Sequence, residues 1–142
     1  MRIITDRDLE EVPMSVAIEA VRGFFASAKK GLVVTPPRHT VNAGSGGLTF
    51  TIGAELEKTK TIGFRVYDTY LGRRGTNSDQ LVAVYSTNSS QLKGIVIGST
   101  LGAIRTAAIN GFAADVMARQ EIDTVCLIGA GHQAYYQIKF TM

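Results

Sequence analysis

Between Leu48 and Ile97 four apolar runs follow one another with only turn residues between them. That arrangement constrains the fold more than any other feature of the chain. Leu48, Phe50, Ile52 and Ala54 alternate with Thr49, Thr51 and Gly53, the two-residue period of a half-buried strand. Ile62, Phe64 and Val66 repeat the pattern, and Leu81–Tyr85 and Lys93–Ile97 give a third and a fourth run. Asn42–Gly47, Gly72–Asp79 and Thr87–Gln91 carry the turn residues. Parallel neighbours would need a long crossover between them, so these strands are expected to form an antiparallel meander.

Helical periodicity flanks the meander. Met14, Ala17, Ile18, Val21, Phe24, Phe25 and Ala28 recur at three- and four-residue steps, which predicts an amphipathic helix over Pro13–Lys30. Pro13 suits its first turn, Lys29 and Lys30 its C-terminal dipole end, and Gly31 its cap. A shorter helix is expected before it, with Asp6 as N-cap. A second long helix, Thr100–Arg119, carries Ala103, Ala107 and Gly111 at four-residue spacing. A mid-helix glycine costs about 1 kcal/mol relative to alanine, so a neighbour should pack closely on that stripe.

The chain changes grammar near residue 121. Thr124–Ile128 reads as a buried strand, and Gly129-Ala130-Gly131-His132-Gln133-Ala134 follows it directly. This fits the G-x-G-x-x-G/A pattern. The first glycine allows a tight turn, the second lets backbone approach a pyrophosphate, and the small third position lets helix and strand pack. The helix N-terminus then offers oriented N–H groups to the anion. The division expected is therefore 1–120 and 121–142, the latter being the opening strand–turn–helix of a dinucleotide-binding domain. The fold class is α/β: an α+β first domain, an antiparallel sheet flanked by helices, and the start of a Rossmann domain.

Composition closes off other classes. At 142 residues the chain supports one domain, or one domain and part of another. An apolar fraction of 45% excludes general disorder. Fifteen basic against 12 acidic residues, with no basic block, give no nucleic-acid surface. Cys126 is the single cysteine, which excludes an intramolecular disulfide and a multi-cysteine zinc site; flanked by Val125 and Leu127, it reads as a buried core thiol. His39 and His132 lie far apart with no acidic cluster, so no metal site is expected. No run approaches a membrane span and the N-terminus has no signal-peptide core, which points to a cytoplasmic protein.

Three arginines stand in distinctive contexts. Arg38 follows Pro36-Pro37, whose fixed φ holds the segment extended. Arg65 shares a strand face with Gly63 and Tyr67, opposite Ile62, Phe64 and Val66. Arg105 sits near the start of the alanine-rich helix. A guanidinium suits a bidentate grip on a carboxylate, and an arginine with its stem packed on the surface is the plainer alternative for each. Asp68, Tyr67 and Tyr70 are candidates to line a pocket near Arg65, and Arg73-Arg74 belongs to a solvated turn.

In order, Pro37-Arg38, Gly63-Phe64-Arg65-Val66, Arg105-Thr106-Ala107-Ala108 and the glycine turn resemble the ornithine cyclodeaminase/mu-crystallin family. The resemblance runs from the first helix onward, and the Arg-Thr-Ala-Ala helix followed by the glycine turn is its most specific part. It implies a substrate-binding and dimerisation domain, here followed by only the opening of an NAD(P) domain. It implies that Arg38 and Arg105 grip a substrate carboxylate, with Arg65 beside them. It further implies that Thr106 and the turn Gly129, Ala130, Gly131, His132, Gln133 and Ala134 face an NAD or NADP cofactor.

Family members commonly carry lysine where this chain has Arg65. A buried lysine can lose its proton, whereas arginine stays charged, so Arg65 can bind a carboxylate but is a poor general acid–base. The acidic catalytic residue of the family would fall after Met142, which leaves the catalytic group unassigned. The implied activity is an NAD(P)-dependent oxidoreductase or cyclodeaminase acting on an amino or imino acid, working as a homodimer. Hydride would leave the amino-bearing carbon while arginines hold the carboxylate. The alternative is a non-catalytic ligand-binding or dimerisation module.

Overall fold

A computed structural model describes residues 1–44, 46–68, 79–119, 121 and 123–139. The strands are β1 (Arg2–Thr5), β2 (Val33–Val34), β3 (His39–Ala43), β4 (Gly46–Glu55), β5 (Thr61–Asp68), β6 (Leu81–Ser86) and β7 (Leu92–Ile97). The helices are α1 (Asp6–Glu10), α2 (Met14–Lys29), α3 (Thr100–Met117) and α4 (His132–Lys139).

The meander forms as the two-residue period requires. β4, β5, β6 and β7 pair antiparallel in sequence order, with Phe50 opposite Val66, Phe64 opposite Ala83 and Ala83 opposite Ile95. Three strands extend it. β2 and β3 pair with successive stretches of the free edge of β4, and β1 pairs parallel with β7 at the other end. The expected turn Asn42–Gly47 is narrower than its composition suggests, because Asn42 pairs with Gly47 and Ala43 with Gly46.

Alternation assigns the two faces. One carries Leu48, Phe50 and Ile52 of β4 with Ile62, Phe64 and Val66 of β5, and it is open to solvent: Leu48, Ile52 and Ile62 are each more than 40% exposed. The other carries Thr51, Arg65, Val96 and Ile4 and is covered by helices. There Leu9, Ile104, Ala107 and Ala108 are buried, with Ile4, Ala17, Ile18, Val21, Val96 and Tyr136 packed around them.

Helix α3 is apolar nearly all round, as befits a helix enclosed on several sides. The stripe Ala103, Ala107 and Gly111 is buried, and α2 and α4 both pack on α3. The α2–α3 contact adds the stacked rings of Phe25 and Phe112, with centroids 5.5 Å apart, and the pair Arg22–Asp115 at 2.6 Å.

Both β1 and β7 run parallel into helices at the same end of the sheet. The expectation that Asp6 caps α1 is corrected by this arrangement. Thr5 is the N-cap, with the Asp8 carboxylate accepting the Thr5 N–H at 2.8 Å and its hydroxyl at 2.7 Å. Asp6 crosses to α3 instead, where its carboxylate accepts N–H donors from Ser99 at 3.1 Å and Thr100 at 2.9 Å. An acidic group belongs at a helix N-terminus, where donors are unpaired and the dipole is positive.

The connection from β4 to β5 is organised by Glu55. Its carboxylate accepts backbone N–H donors from Thr59 at 2.6 Å, Lys58 at 3.0 Å and Glu57 at 3.3 Å. Those donors, Thr59 and Lys58 foremost, hold the carboxyl well below the usual carboxylate range.

Two expectations fail in the last segment. Thr124–Ile128 forms no strand, and Cys126 is exposed; Val125 and Ile128 are 58% and 97% exposed. A buried strand needs partners for its N–H and C=O groups and cover on both faces. Among the described residues no strand pairs with 123–128. Tyr70 and the Arg73-Arg74 turn lie outside the described residues. Among the described residues no helix is long and apolar enough to cross a membrane.

Candidate functional site

The helix-covered face of the sheet opens into a cavity of about 600 Å³, the volume of a small-molecule site. Each wall follows from an element described above. β4 and β5 supply the floor through the cross-strand neighbours Thr51 and Arg65, with Tyr67 one step further along the same face. The extended segment before β3 contributes Thr35, Pro36 and Arg38. The first two turns of α3 contribute Gly102, Ala103, Arg105 and Thr106, and the start of α4 contributes His132 and Gln133.

Arg65 is the best-fixed of the three arginines. It leaves the middle of a strand that is paired on both sides, to Thr51 and to Val82. Its guanidinium lies 4.5 Å from the centre of the Tyr67 ring and donates to the Gln80 side-chain oxygen. It also lies against Gly102: a Cβ there would come 2.8 Å from Arg65 Nη2 and 3.2 Å from Gln80 Oε1. Glycine in the first turn of α3 is what lets the guanidinium sit so close to the helix backbone. Burial, then the charges of Arg105 and Arg38, lower the pKa of Arg65.

Arg38 and Arg105 are exposed and line the same cavity. Arg105 donates to the Thr106 hydroxyl at 3.4 Å, and that hydroxyl donates to the Gly102 carbonyl at 2.9 Å. Thr106 therefore spends its proton on its own helix and presents lone pairs outward.

Gly129 has φ +106°, a left-handed conformation that glycine adopts at no steric cost. Among the described residues nothing lies within 4 Å of the Cβ positions of Gly129 and Gly131, so the backbone of this turn is approachable. Helix α4 begins directly after Gly131, with the Ala134 N–H donating to the Gly131 carbonyl at 2.9 Å. Tyr136 docks α4 on the core cluster of Leu9, Ile104, Ala107 and Ala108, and His132 and Gln133 line the cavity. The His132 ring meets Tyr136 edge-on at 5.3 Å.

The structure thus brings Arg38, Arg65, Arg105, Thr106, His132 and Gln133 together, while Gly129, Ala130, Gly131 and Ala134 lie beside the cavity and outside its lining. Of the further candidates, Tyr67 lines it and Asp68 does not. Sequence reasoning passed over Gln80 and Gly102. Gln80 carries no local signal, being an uncharged residue in a turn-rich stretch. Gly102 carried one: a glycine in the first turns of an otherwise alanine-rich helix.

The sequence model of the ornithine cyclodeaminase/mu-crystallin family matches residues 4–141. The chain belongs to that family. Three solved structures of similar fold accompany this assignment. The iminosuccinate reductase of Paracoccus denitrificans in complex with NAD+ has a TM-score of 0.89 at 20% identity, over 99% of this chain and 45% of that one. An archaeal alanine dehydrogenase dimer with bound NAD gives 0.87 at 23%, over 99% and 44%. The Delta(1)-pyrroline-2-carboxylate reductase of Thermococcus litoralis, with NADH and L-proline, gives 0.86 at 23%, over 99% and 45%. The chain spans less than half the length of each, and at these identities the likeness is one of fold. No curated protein sequence matches the chain significantly.

Proposed function

We propose that this chain is the substrate-binding and dimerisation part, with the opening of the cofactor domain, of an NAD(P)-dependent enzyme acting on an amino or imino acid. The observation that carries the proposal is the shared cavity: three guanidiniums and the start of the glycine-turn helix line one space. Residues 1–120 would form the first unit. Residues 123–128 would become the first strand of the second unit once parallel neighbours cover Val125 and Ile128, in line with solved relatives about twice as long.

The turn fits a dinucleotide. Its glycine backbone is unobstructed, and Gly129, Ala130, Gly131 and Ala134 with the first N–H groups of α4 would hold the pyrophosphate. His132, Gln133 and Thr106 would border the nicotinamide side. When bound, the cofactor would exchange a hydride with the substrate carbon. The chain's own contribution is positional. Arg38 and Arg105 close on the carboxylate from the rim, Arg65 holds it from the floor, and Gln80 and Tyr67 keep Arg65 aimed. Such fixing is worth far more than a freely moving charge, because the orientation is set before the reaction begins. Arg65 stays protonated and cannot shuttle a proton, which favours a reductase or dehydrogenase over a lysine-dependent cyclodeaminase.

The open apolar sheet face would be covered by a second copy, since a face with Leu48, Ile52 and Ile62 exposed is costly to leave in water. A cytoplasmic setting suits a chain with one exposed, unpaired thiol. The test is a fluorescence titration of NADH and NADPH against the chain and its parent, followed by a screen of amino and keto acids. Saturable binding that weakens on Gly131→Val supports the reading; absence of binding by the parent sinks it.

A further inference from the structure

Helices α2 and α3 leave an open groove between them, with a volume of about 390 Å³. Ala17, Ala20 and Ala108 line it, and each leaves space that a longer side chain would fill. Rings and branched side chains, among them Phe24, Leu101 and Ile109, make up most of the rest. Among the described residues Arg105 is the one polar side chain on its wall. Phe24 and Phe25, which border the groove, are 44% and 43% exposed, an apolar surface that gains from cover.

The groove is not isolated. Phe24 and Arg105 line both it and the arginine cavity, so the two spaces adjoin along those side chains. Guanidiniums stand on one side of this seam and apolar side chains on the other. A ligand spanning it would meet a cationic end and an apolar end in fixed order.

We infer that the groove between α2 and α3 receives the side chain of the ligand, so that the substrate is an amino or imino acid with a large apolar side chain. This rests on the carboxylate-gripping role proposed above and adds the direction in which the rest of the ligand leaves that grip. With the carboxylate on Arg38, Arg65 and Arg105, the tail passes the Phe24 ring and the methylenes of the Arg105 stem. A cationic side chain would lose its water there and meet Arg105 as its one polar neighbour. A side chain of one or two carbons would leave the groove wet. The competing occupants are a second copy of the chain and another segment of the parent, and the test separates them.

The test is isothermal titration of the chain and its parent at low salt with butyrate, octanoate and octanol, and with succinate as a probe of the charged cavity alone. Each methylene entering the groove should raise affinity about threefold. Octanoate is therefore expected to bind at least about twentyfold more tightly than butyrate, and at least about tenfold more tightly than octanol. Ala20→Leu, at an exposed helix position, should cut the gain over butyrate below about threefold and leave succinate affinity unchanged. Ile109→Ser gives the same readout should that variant fail to fold. Octanoate no tighter than butyrate, with succinate still bound, overturns the inference and leaves the carboxylate grip standing. Octanol binding as tightly as octanoate overturns the grip and the two-ended site with it. A gain present in the chain and lost in the parent assigns the groove to another segment, and a dimer that Ala20→Leu dissociates in sedimentation assigns it to a second copy; either overturns the inference. NADH titration in parallel keeps the oxidoreductase reading apart: the octanoate gain without NADH binding by the parent refutes that reading and retains the groove.

Discussion

Gly102→Ala is expected to separate stability from binding. In the first turn of α3 the change removes a flexible residue, and alanine favours the helix by up to about 1 kcal/mol. The new Cβ would stand 2.8 Å from Arg65 Nη2 and 3.2 Å from Gln80 Oε1. Ordinary contact between such atoms needs about 3.5 Å or more, so the guanidinium must retreat by roughly 0.7 Å or more. Being the end of a flexible side chain it can do so without moving backbone, and the fold should survive. The cost falls on the site. Arg65 loses its bond to Gln80, worth about 1.5–3 kcal/mol for a charged donor, and part of its contact with Tyr67. Water recovers some of that loss, leaving about 1–2 kcal/mol, or roughly five- to thirtyfold in succinate affinity. Calorimetric titration and thermal melts on the same samples read both effects. A variant as stable as the parent with weakened anion binding fits the geometry. Unchanged binding would show that Arg65 does not lie against α3, and the account of the cavity floor would fail.

Other perturbations have defined outcomes. Asp6→Ala removes the carboxylate that caps α3 from another helix; a loss of about 1–2 kcal/mol and a melting point lower by roughly 3–8 °C are expected, and no change in a thermal melt would contradict the cap. For Glu55 the folded carboxyl is held below its ordinary value of about 4.3, so its contribution is full above that pH and fades as pH falls toward the folded value. Urea unfolding at pH 7 and pH 3 should therefore show Glu55→Gln more destabilised at pH 7 than at pH 3, with part of the effect still present at pH 3, and an equal effect at both would refute the sign. Ile62→Lys places a charge on the open sheet face and should abolish self-association in sedimentation with the circular dichroism retained; an unaffected dimer would move the interface elsewhere.

The meander and both long helices were legible because each side chain's environment is set by its own strand or helix period. Thr51, Arg65 and Tyr67 fell on the face opposite Ile52, Phe64 and Val66 by alternation alone. Contacts of long sequence separation left no such trace. The pairing of β1 with β7 joins Ile3 to Ile95, and the four-residue β1 is too short to show a period. Asp6 has the composition of a local cap, and only the parallel arrangement of β1 and β7 brings it to α3. Residues 124–128 show the opposite failure. Their apolar run has the composition of a buried strand, yet burial depends on neighbours that a local pattern cannot supply. The site itself was legible as separate motifs, and its assembly depended on Tyr136 docking α4 against the core cluster around Leu9, Ile104, Ala107 and Ala108, a contact between distant segments.

Arg38, Arg65 and Arg105 are proposed to act together on one anionic ligand. A crystal structure of the chain grown with succinate tests it most directly. The account predicts a carboxylate oxygen within about 3 Å of the Arg65 guanidinium and another within the same distance of Arg38 or Arg105. Succinate bound away from Arg65, or the three guanidiniums turned to separate surfaces beyond the reach of one small carboxylate, would contradict it.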